Sequence, residues 1–245
     1  MKFIEKLKTQ WAEEKARMEP MTTKQRIDHL WTYYKEYLWV AVLAVILIGA
    51  MISSLINLSK TEVVTGILVN MTVEQEGMNY LSEDYAKKIG ADPFWDEVKV
   101  EYTAFTALTD QSNSEQNYYA AMTVVAEVSA EKLDYMILDK VGMEFYITQG
   151  VYMDLREFFT EEEIAQFAAE DRLIYAQEEG SEDKWVVAVD ITELPFVQDT
   201  ITSEGPIYFA LSGSAQHVEQ CHGIWEHINA WPAKAASYKS CGPWK

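Results

Sequence analysis

The sequence lacks the short motifs that identify several large enzyme classes. Its 245 residues contain no GxGxxG, GxxxxGK[ST], HExxH or GxSxG pattern. Such patterns supply phosphate-binding loops, zinc ligands or a serine nucleophile, so dinucleotide, nucleotide, zinc-protease and α/β-hydrolase chemistry lack their usual residues. Carboxylates are abundant, and abundance alone singles out no acid and base pair for hydrolysis. We therefore expect a protein that is not an enzyme and that uses no cofactor.

Positive charge is also scarce. The chain has 20 lysine and arginine residues against 39 aspartate and glutamate residues, and its net charge is −19. Residues 1–36 hold eight basic and six acidic residues, a balance of +2, so the remainder of the chain carries −21. An acidic surface without a basic stripe repels phosphate backbones. We expect no nucleic-acid partner.

Cysteine is limited to two residues, Cys221 and Cys241, which could form a disulfide in an oxidising compartment or remain as free thiols. Cys221 lies four residues after His217, so the two would share one face of a helix. The histidines at 217, 222 and 227 follow each other at intervals of five, however, and point in different directions. We expect a plain helix here and no metal site.

Charged residues are absent from one long segment, Leu38 to Leu58. Its 21 residues are enough to cross the roughly 30 Å hydrocarbon core of a bilayer. Aromatic residues gather before and at its start, as in an interfacial belt. They are Trp31, Tyr33, Tyr34, Tyr37 and Trp39. We predict a transmembrane helix over residues 37–58; a buried core helix and a cleaved signal peptide are the alternatives.

The charges that flank this segment predict its orientation. Lys24, Arg26 and Lys35 precede it closely, whereas Lys60 follows and Glu62 offsets it. The positive-inside rule then places residues 1–36 in the cytoplasm as a helical segment, and residues 59–245 outside the cell membrane as one domain. Thr22 and Gln25 form a capping-box pattern, and no helix breaker separates them from the apolar segment. We expect one continuous helix from that cap through the membrane.

The outer domain alternates strand and helix patterns. Strands are predicted in "TEVVTGILVNM", "EVKVEYTAF" and "LDYMILD", with helices between successive strands. This β-α-β-α-β order predicts an α/β fold with a mainly parallel sheet flanked by helices. Farther on, "LIYAQ" and "KWVVAVDIT" predict a hairpin. We interpret "LPFVQDTITSEG" as a loop, "PIYFALS" as a strand and the segment from Ala215 to Trp231 as a closing helix.

Two segments carry a resemblance to a known family. The stretch that begins "LDYMILDKVGMEFYITQGVYMDL" and the later "GPIYFALSGSAQHVEQCHGIWEHI" resemble parts of type 2 periplasmic solute-binding proteins. The segment "TTKQRIDHLWTYYKEYLW", which leads into the apolar helix, resembles the corresponding segment of single-span Firmicutes membrane proteins that carry a reduced domain of this kind. The outer part, about 185 residues, is shorter than a full two-lobe binder. The resemblance implies a truncated solute-binding-like fold.

Binding at the carboxyl ends of the strands is the function that this resemblance and the strand order imply. We predict a small-molecule or peptide ligand there, with Asn70, Thr106, Asp139 and Tyr146 as candidate contacts. Asp139 has a second interpretation, which we favour: it caps the helix "KVGMEFYITQ", which Gly150 ends in a left-handed conformation. The alternative function is a scaffold with a filled cleft that serves an envelope protein partner.

Overall fold

The computed structural model describes residue 16 and residues 19–104, 114–177 and 183–232. The chain divides into two compact units, Met1–Ser59 and Lys60–Lys245.

The first unit is dominated by one long helix, α1, which spans Thr23–Leu58 without interruption. The backbone N–H of Thr22 donates to the Gln25 side chain at 3.0 Å, as the capping pattern predicted. Within α1, the 18 residues Trp39–Ile56 have a mean hydropathy of 2.6, and none of them is buried. By length and composition this helix can cross a membrane. The prediction of one continuous helix is confirmed.

The second unit is built on a six-stranded sheet. The strands of the described residues are β1 (Thr61–Val69), β2 (Thr72–Val73), β3 (Asp96–Thr103), β4 (Tyr135–Asp139), β5 (Leu173–Gln177), β6 (Lys184–Asp190), β7 (Ile201–Thr202) and β8 (Ile207–Leu211). Their order across the sheet is β3-β1-β4-β8-β6-β5, and β2 pairs with β7 in a separate two-stranded ribbon.

The sheet is mixed, which corrects the prediction of a mainly parallel one. β1 runs parallel to β3 and to β4. β8 is antiparallel to both of its neighbours, β4 and β6, and β5 is antiparallel to β6. The predicted β5–β6 hairpin is confirmed. The apolar run of β8 is buried along its whole length, so its pattern carries no information on strand direction.

Helices cover both faces of the sheet. They are α2 (Gln75–Asn79), a π-helical turn (Tyr80–Asp84), α3 (Tyr85–Ile89), α4 (Ser114–Ser129), α5 (Lys140–Gln149), a 3₁₀ turn (Leu155–Glu157), α6 (Glu161–Ala169), α7 (Pro195–Thr200) and α8 (Val218–Asn229). One buried cluster contains side chains of α3, α6, α7 and α8, and the other contains side chains of α4 and α5. This arrangement confirms the α/β class.

One local prediction is wrong. The segment from Leu194 to Gly205, predicted as loop, contains α7 and β7, because a helix of six residues is too short to show periodicity. The segment that leads into β3 exposes Phe94 and Trp95. Their side chains are 64% and 58% exposed.

Candidate functional site

An open cleft of about 960 Å³ lies where β1, β3 and β4 end. Its walls come from those strand ends, from the first turns of α4 and α5, and from the segment that joins β7 to β8. The lining residues are Asn70, Met71, Thr72, Tyr102, Ala104, Asn117, Asp139, Lys140, Val141, Thr202, Ser203, Glu204, Gly205 and Pro206. This is the carboxyl edge of parallel strands, where α/β sheets usually bind ligands.

Sheet register brings two of the predicted residues together. Val69 of β1 is paired with Leu138 of the parallel strand β4, so the residues that follow them, Asn70 and Asp139, emerge side by side. The Asn70 amide Nδ2 donates a hydrogen bond of 3.1 Å to Asp139 Oδ1. Asn70 has a φ of 58°, a left-handed conformation that asparagine tolerates better than most residues. That conformation ends β1 and turns the chain along the cleft wall.

Asp139 also begins α5, as predicted. Its Oδ1 accepts a hydrogen bond of 2.8 Å from the backbone N–H of Gly142, and its extended backbone is that of an N-cap residue. Gly142 fits this turn because a Cβ atom there would lie 3.0 Å from a Val69 methyl carbon. Both bonds to Asp139 use Oδ1. Within the described part of the chain, no hydrogen bond to Oδ2 is seen, and Asp139 is one of the residues that line the cleft.

Carboxylates outnumber ammonium groups on the walls of the cleft. Asp139 and Glu204 line it together with Lys140. The Lys140 ammonium lies 3.7 Å from the Glu144 carboxylate in a solvent-exposed pair one helical turn away. Asn117, which is only 8% exposed, contributes a side-chain amide from α4. Tyr102 contributes an exposed aromatic ring from the end of β3. The walls of the cleft therefore combine two carboxylates, one ammonium group, side-chain amides and one aromatic surface.

The other two predicted contact residues, Tyr146 and Thr106, are not among the described residues that line the cleft. Tyr146 is completely buried, and its hydroxyl donates a hydrogen bond of 3.2 Å to the Ala121 carbonyl between α5 and α4. Burial raises the pKa of the Tyr146 phenol, and Tyr146 is not among the residues that line the cleft. Thr106 lies outside the described residues. Tyr102, Asn117 and Glu204 were missed, since nothing in a single sequence shows that separate segments converge on one edge.

The helix that carries Cys221 and His227 packs these two side chains into the core. Cys221 is fully buried, and burial raises the pKa of its thiol. Cys241 lies outside the described residues, so the disulfide stays a prediction. His227 is buried against Tyr80, with ring centroids 3.8 Å apart. Among the described residues, no three histidine, cysteine or carboxylate side chains are grouped so that they could hold a metal ion.

A second carboxylate, Asp134, lies just before the opposite end of β4. It is 3% exposed. Its oxygens accept hydrogen bonds from the backbone N–H groups of Thr65 at 2.8 Å, Gln216 at 2.9 Å and His217 at 3.0 Å. The His217 ring nitrogen Nδ1 lies 3.1 Å from Oδ2. These contacts hold β1, β4 and the start of α8 together at the amino end of β4.

Comparison with known proteins adds no relative: no protein family, no curated protein and no solved structure matches this chain significantly. The geometry of the cleft is the basis for a functional assignment.

Proposed function

We propose that this protein is a membrane-anchored binding module. It binds a small solute or a peptide, without catalysis, in the cleft next to Asn70 and Asp139. The observation that carries the proposal is the position of an open volume of about 960 Å³ at the carboxyl edge of parallel strands. A volume of this size holds a small ligand. The described outer unit is a reduced version of a solute-binding-like fold in this proposal.

The chemistry of the walls narrows the ligand class. The Asp139 and Glu204 carboxylates favour a ligand that donates hydrogen bonds, such as an amine, a polyol or the backbone amides of a peptide. The exposed ring of Tyr102 favours an apolar or cationic portion beside those donors. An anionic ligand is disfavoured because it would meet two carboxylates.

Anchoring in the cell membrane is the second part of the proposal. It rests on the uncharged 18-residue stretch within α1, none of whose residues is buried. Lys24, Arg26 and Lys35 precede this stretch and give the orientation with residues 1–36 in the cytoplasm and the binding unit outside. The alternative scaffold function requires a cleft filled by side chains, and the open volume is the reason we rank it second.

A thermal-shift screen of the full chain in detergent micelles tests the binding proposal. Amino acids, polyamines, sugars and short peptides are the probes. A ligand at 100 times its Kd stabilises the folded state by about 2.7 kcal/mol, which is a measurable shift. No shift across these four classes would contradict small-ligand binding and favour the scaffold.

A blocking variant shows where any hit binds. Gly205 lines the cleft, and a Cβ atom placed on it meets no atom within 4 Å. Gly205→Trp should therefore occupy the cleft without disturbing the core, and should abolish the shift. Lys184→Trp, at an exposed residue where β6 begins, is the matched control and should leave the shift unchanged. A shift that survives Gly205→Trp places the ligand elsewhere.

A further inference from the structure

Three exposed apolar side chains lie at the last residue of α3 and on the connection from α3 to the amino end of β3. Ile89 is 40% exposed, Phe94 is 64% exposed and Trp95 is 58% exposed. We refer to Phe94 and Trp95 as the aromatic corner. Because the rings of these two adjacent residues are mostly exposed, they contribute little buried area to the stability of the core.

Hydrogen bonds hold the corner in one shape. The Phe94 backbone N–H donates to Asp92 Oδ1 at 2.8 Å, and the Trp95 backbone N–H donates to the Asp92 carbonyl at 3.1 Å. The Asp92 backbone N–H in turn donates to Asp96 Oδ2 at 2.8 Å. The two rings are therefore presented by an ordered turn whose backbone N–H groups at Asp92, Phe94 and Trp95 are all hydrogen-bonded.

The corner is tied to the point where the chain enters the second unit. The Thr61 backbone N–H donates to the Trp95 carbonyl at 2.7 Å, and Thr61 is paired with Asp96 in the sheet. Thr61 is only three residues beyond Leu58, the last residue of α1. Three residues of extended chain span at most about 10 Å. The headgroup region on each side of a bilayer is roughly 5 to 8 Å thick.

Aromatic residues are distributed unequally about the apolar segment. Trp31, Tyr37 and Trp39 are exposed toward its amino-terminal end. From residue 40 to residue 79 the sequence contains no tryptophan, tyrosine or phenylalanine. Membrane-spanning segments usually carry aromatic side chains at both interfaces. The carboxyl-terminal end of this segment lacks them in sequence.

We propose that Phe94 and Trp95 supply this missing interfacial belt by inserting into the headgroup region of the bilayer at the end of α1. The proposal rests on the membrane span proposed above. The occupant of the corner is the lipid interface itself, because backbone pairing to Thr61 fixes the corner within a short length of chain from the last apolar helical residue. An indole ring suits that environment because its face is apolar and its N–H can donate to water or headgroups.

Fluorine NMR of the full chain in lipid nanodiscs tests this. The chain is labelled with 5-fluorotryptophan, and the resonances of Trp39, Trp95 and Trp225 are assigned by substitution of each tryptophan with phenylalanine. A lipid that carries a nitroxide on its headgroup then broadens the resonances of nearby rings. We expect a several-fold loss of peak height for Trp39 and Trp95, and little change for Trp225, which is buried in the core.

Each other result overturns the inference in a recognisable way. If Trp39 broadens and Trp95 behaves like Trp225, the span stands and the interfacial corner is wrong. If neither Trp39 nor Trp95 broadens, the proposed span fails and the corner with it. If all three broaden, the probe is not selective for the interface and the corner has no special position.

A paired variant tests whether the two rings act together. Phe94→Ser should reduce the broadening of Trp95, because the neighbouring apolar ring then no longer enters the interface. Tyr175→Ser removes an aromatic ring of similar exposure from β5, the other edge of the sheet, and should not change it. Equal broadening of Trp95 in the parent chain and in Phe94→Ser would overturn the two-residue corner.

Discussion

Asp134 and Asp139 flank the same short strand, β4, and have opposite roles. Asp134 is almost fully buried, and three backbone N–H groups and a histidine ring surround its carboxylate. Asp139 is partly exposed at the cleft, and both of its bonds fall on one oxygen. A carboxylate whose acceptor capacity is filled by the protein is structural, whereas one with an oxygen left over toward an open cleft can also serve a ligand.

The two edges of the sheet differ in the same way as the two aspartates. At the amino edge, contacts are closed within the protein: Asp134 joins strands to helix, and backbone pairing fixes Trp95 to Thr61. At the carboxyl edge, β1, β3 and β4 end around empty space. If the proposed function holds, stability and binding are separated along the length of the strands, so substitutions at the two edges should affect different measurements.

Asp134→Ala should produce the largest loss of stability. It leaves the backbone N–H groups of Thr65, Gln216 and His217 without their acceptor, the first of them in a buried hydrogen bond, and we expect a loss of about 3–5 kcal/mol. Urea unfolding of the full chain in micelles, followed by tryptophan fluorescence, measures it. A loss below about 1 kcal/mol would break the distinction between the two aspartates.

Gly150→Val should have the next largest effect. Gly150 ends α5 with a φ of 65°, and no atom lies within 4 Å of an added Cβ, so backbone strain is the only expected penalty. A β-branched residue in this conformation costs about 1–3 kcal/mol. Gly150→Asn is the control and should cost clearly less, since asparagine tolerates positive φ. Equal losses in the two variants would show that strain is not the cause.

Asp139→Ala should cost about 0.5–2 kcal/mol, the usual effect of removing an N-cap. Asp139→Ser sharpens the comparison, because serine can cap α5 but lacks the second carboxylate oxygen. We expect stability within a few tenths of a kcal/mol of the parent chain, together with weaker binding of any ligand found in the thermal-shift screen. Unchanged affinity in the serine variant would make Asp139 purely structural.

His227→Gln should have the smallest effect, and that effect is on how the free energy of unfolding depends on pH. Burial lowers the pKa of His227, although its hydrogen bond to the Tyr80 carbonyl at 3.0 Å opposes the shift; Lys88 also lowers the pKa and Asp84 raises it. The folded state therefore favours the neutral ring, and its stabilising contribution is complete above the unfolded pKa of about 6.5. That contribution is lost as pH falls through the lower folded pKa.

The variant should flatten the decline in stability between about pH 7 and pH 5, where an unfolded histidine gains its proton. Urea midpoints measured at several pH values give the slope for each chain. A slope equal to that of the parent chain would show that carboxylates, and not His227, cause the acid sensitivity.

Local features of the fold were predictable because each has a short-range cause. The Asp139 cap and the left-handed Gly150 are both confirmed. They depend on hydrogen bonds and φ angles within a few residues. The β5–β6 hairpin was predicted for the same reason.

Long-range features were not predictable. The antiparallel course of β8 between β4 and β6 depends on pairing across about 70 residues, and an apolar run is the same in both directions. The convergence of Asn70 and Asp139 was predicted from strand order, whereas Glu204 reaches the cleft from a short segment that had no recognisable pattern. Tyr146 was expected near a ligand, but aromatic residues fill cores more often than they line clefts.

The position of β8 has a consequence for synthesis. The strands that appear first, β1, β3 and β4, form one half of the sheet, and the exposed edge of β4 can pair only when β8 follows about 70 residues later. Until residue 211 has emerged, that half presents unpaired N–H and C=O groups on an apolar strand. The nascent chain is thus most prone to aggregation during a defined interval, and slowing elongation between β4 and β8 should lower the yield of folded protein.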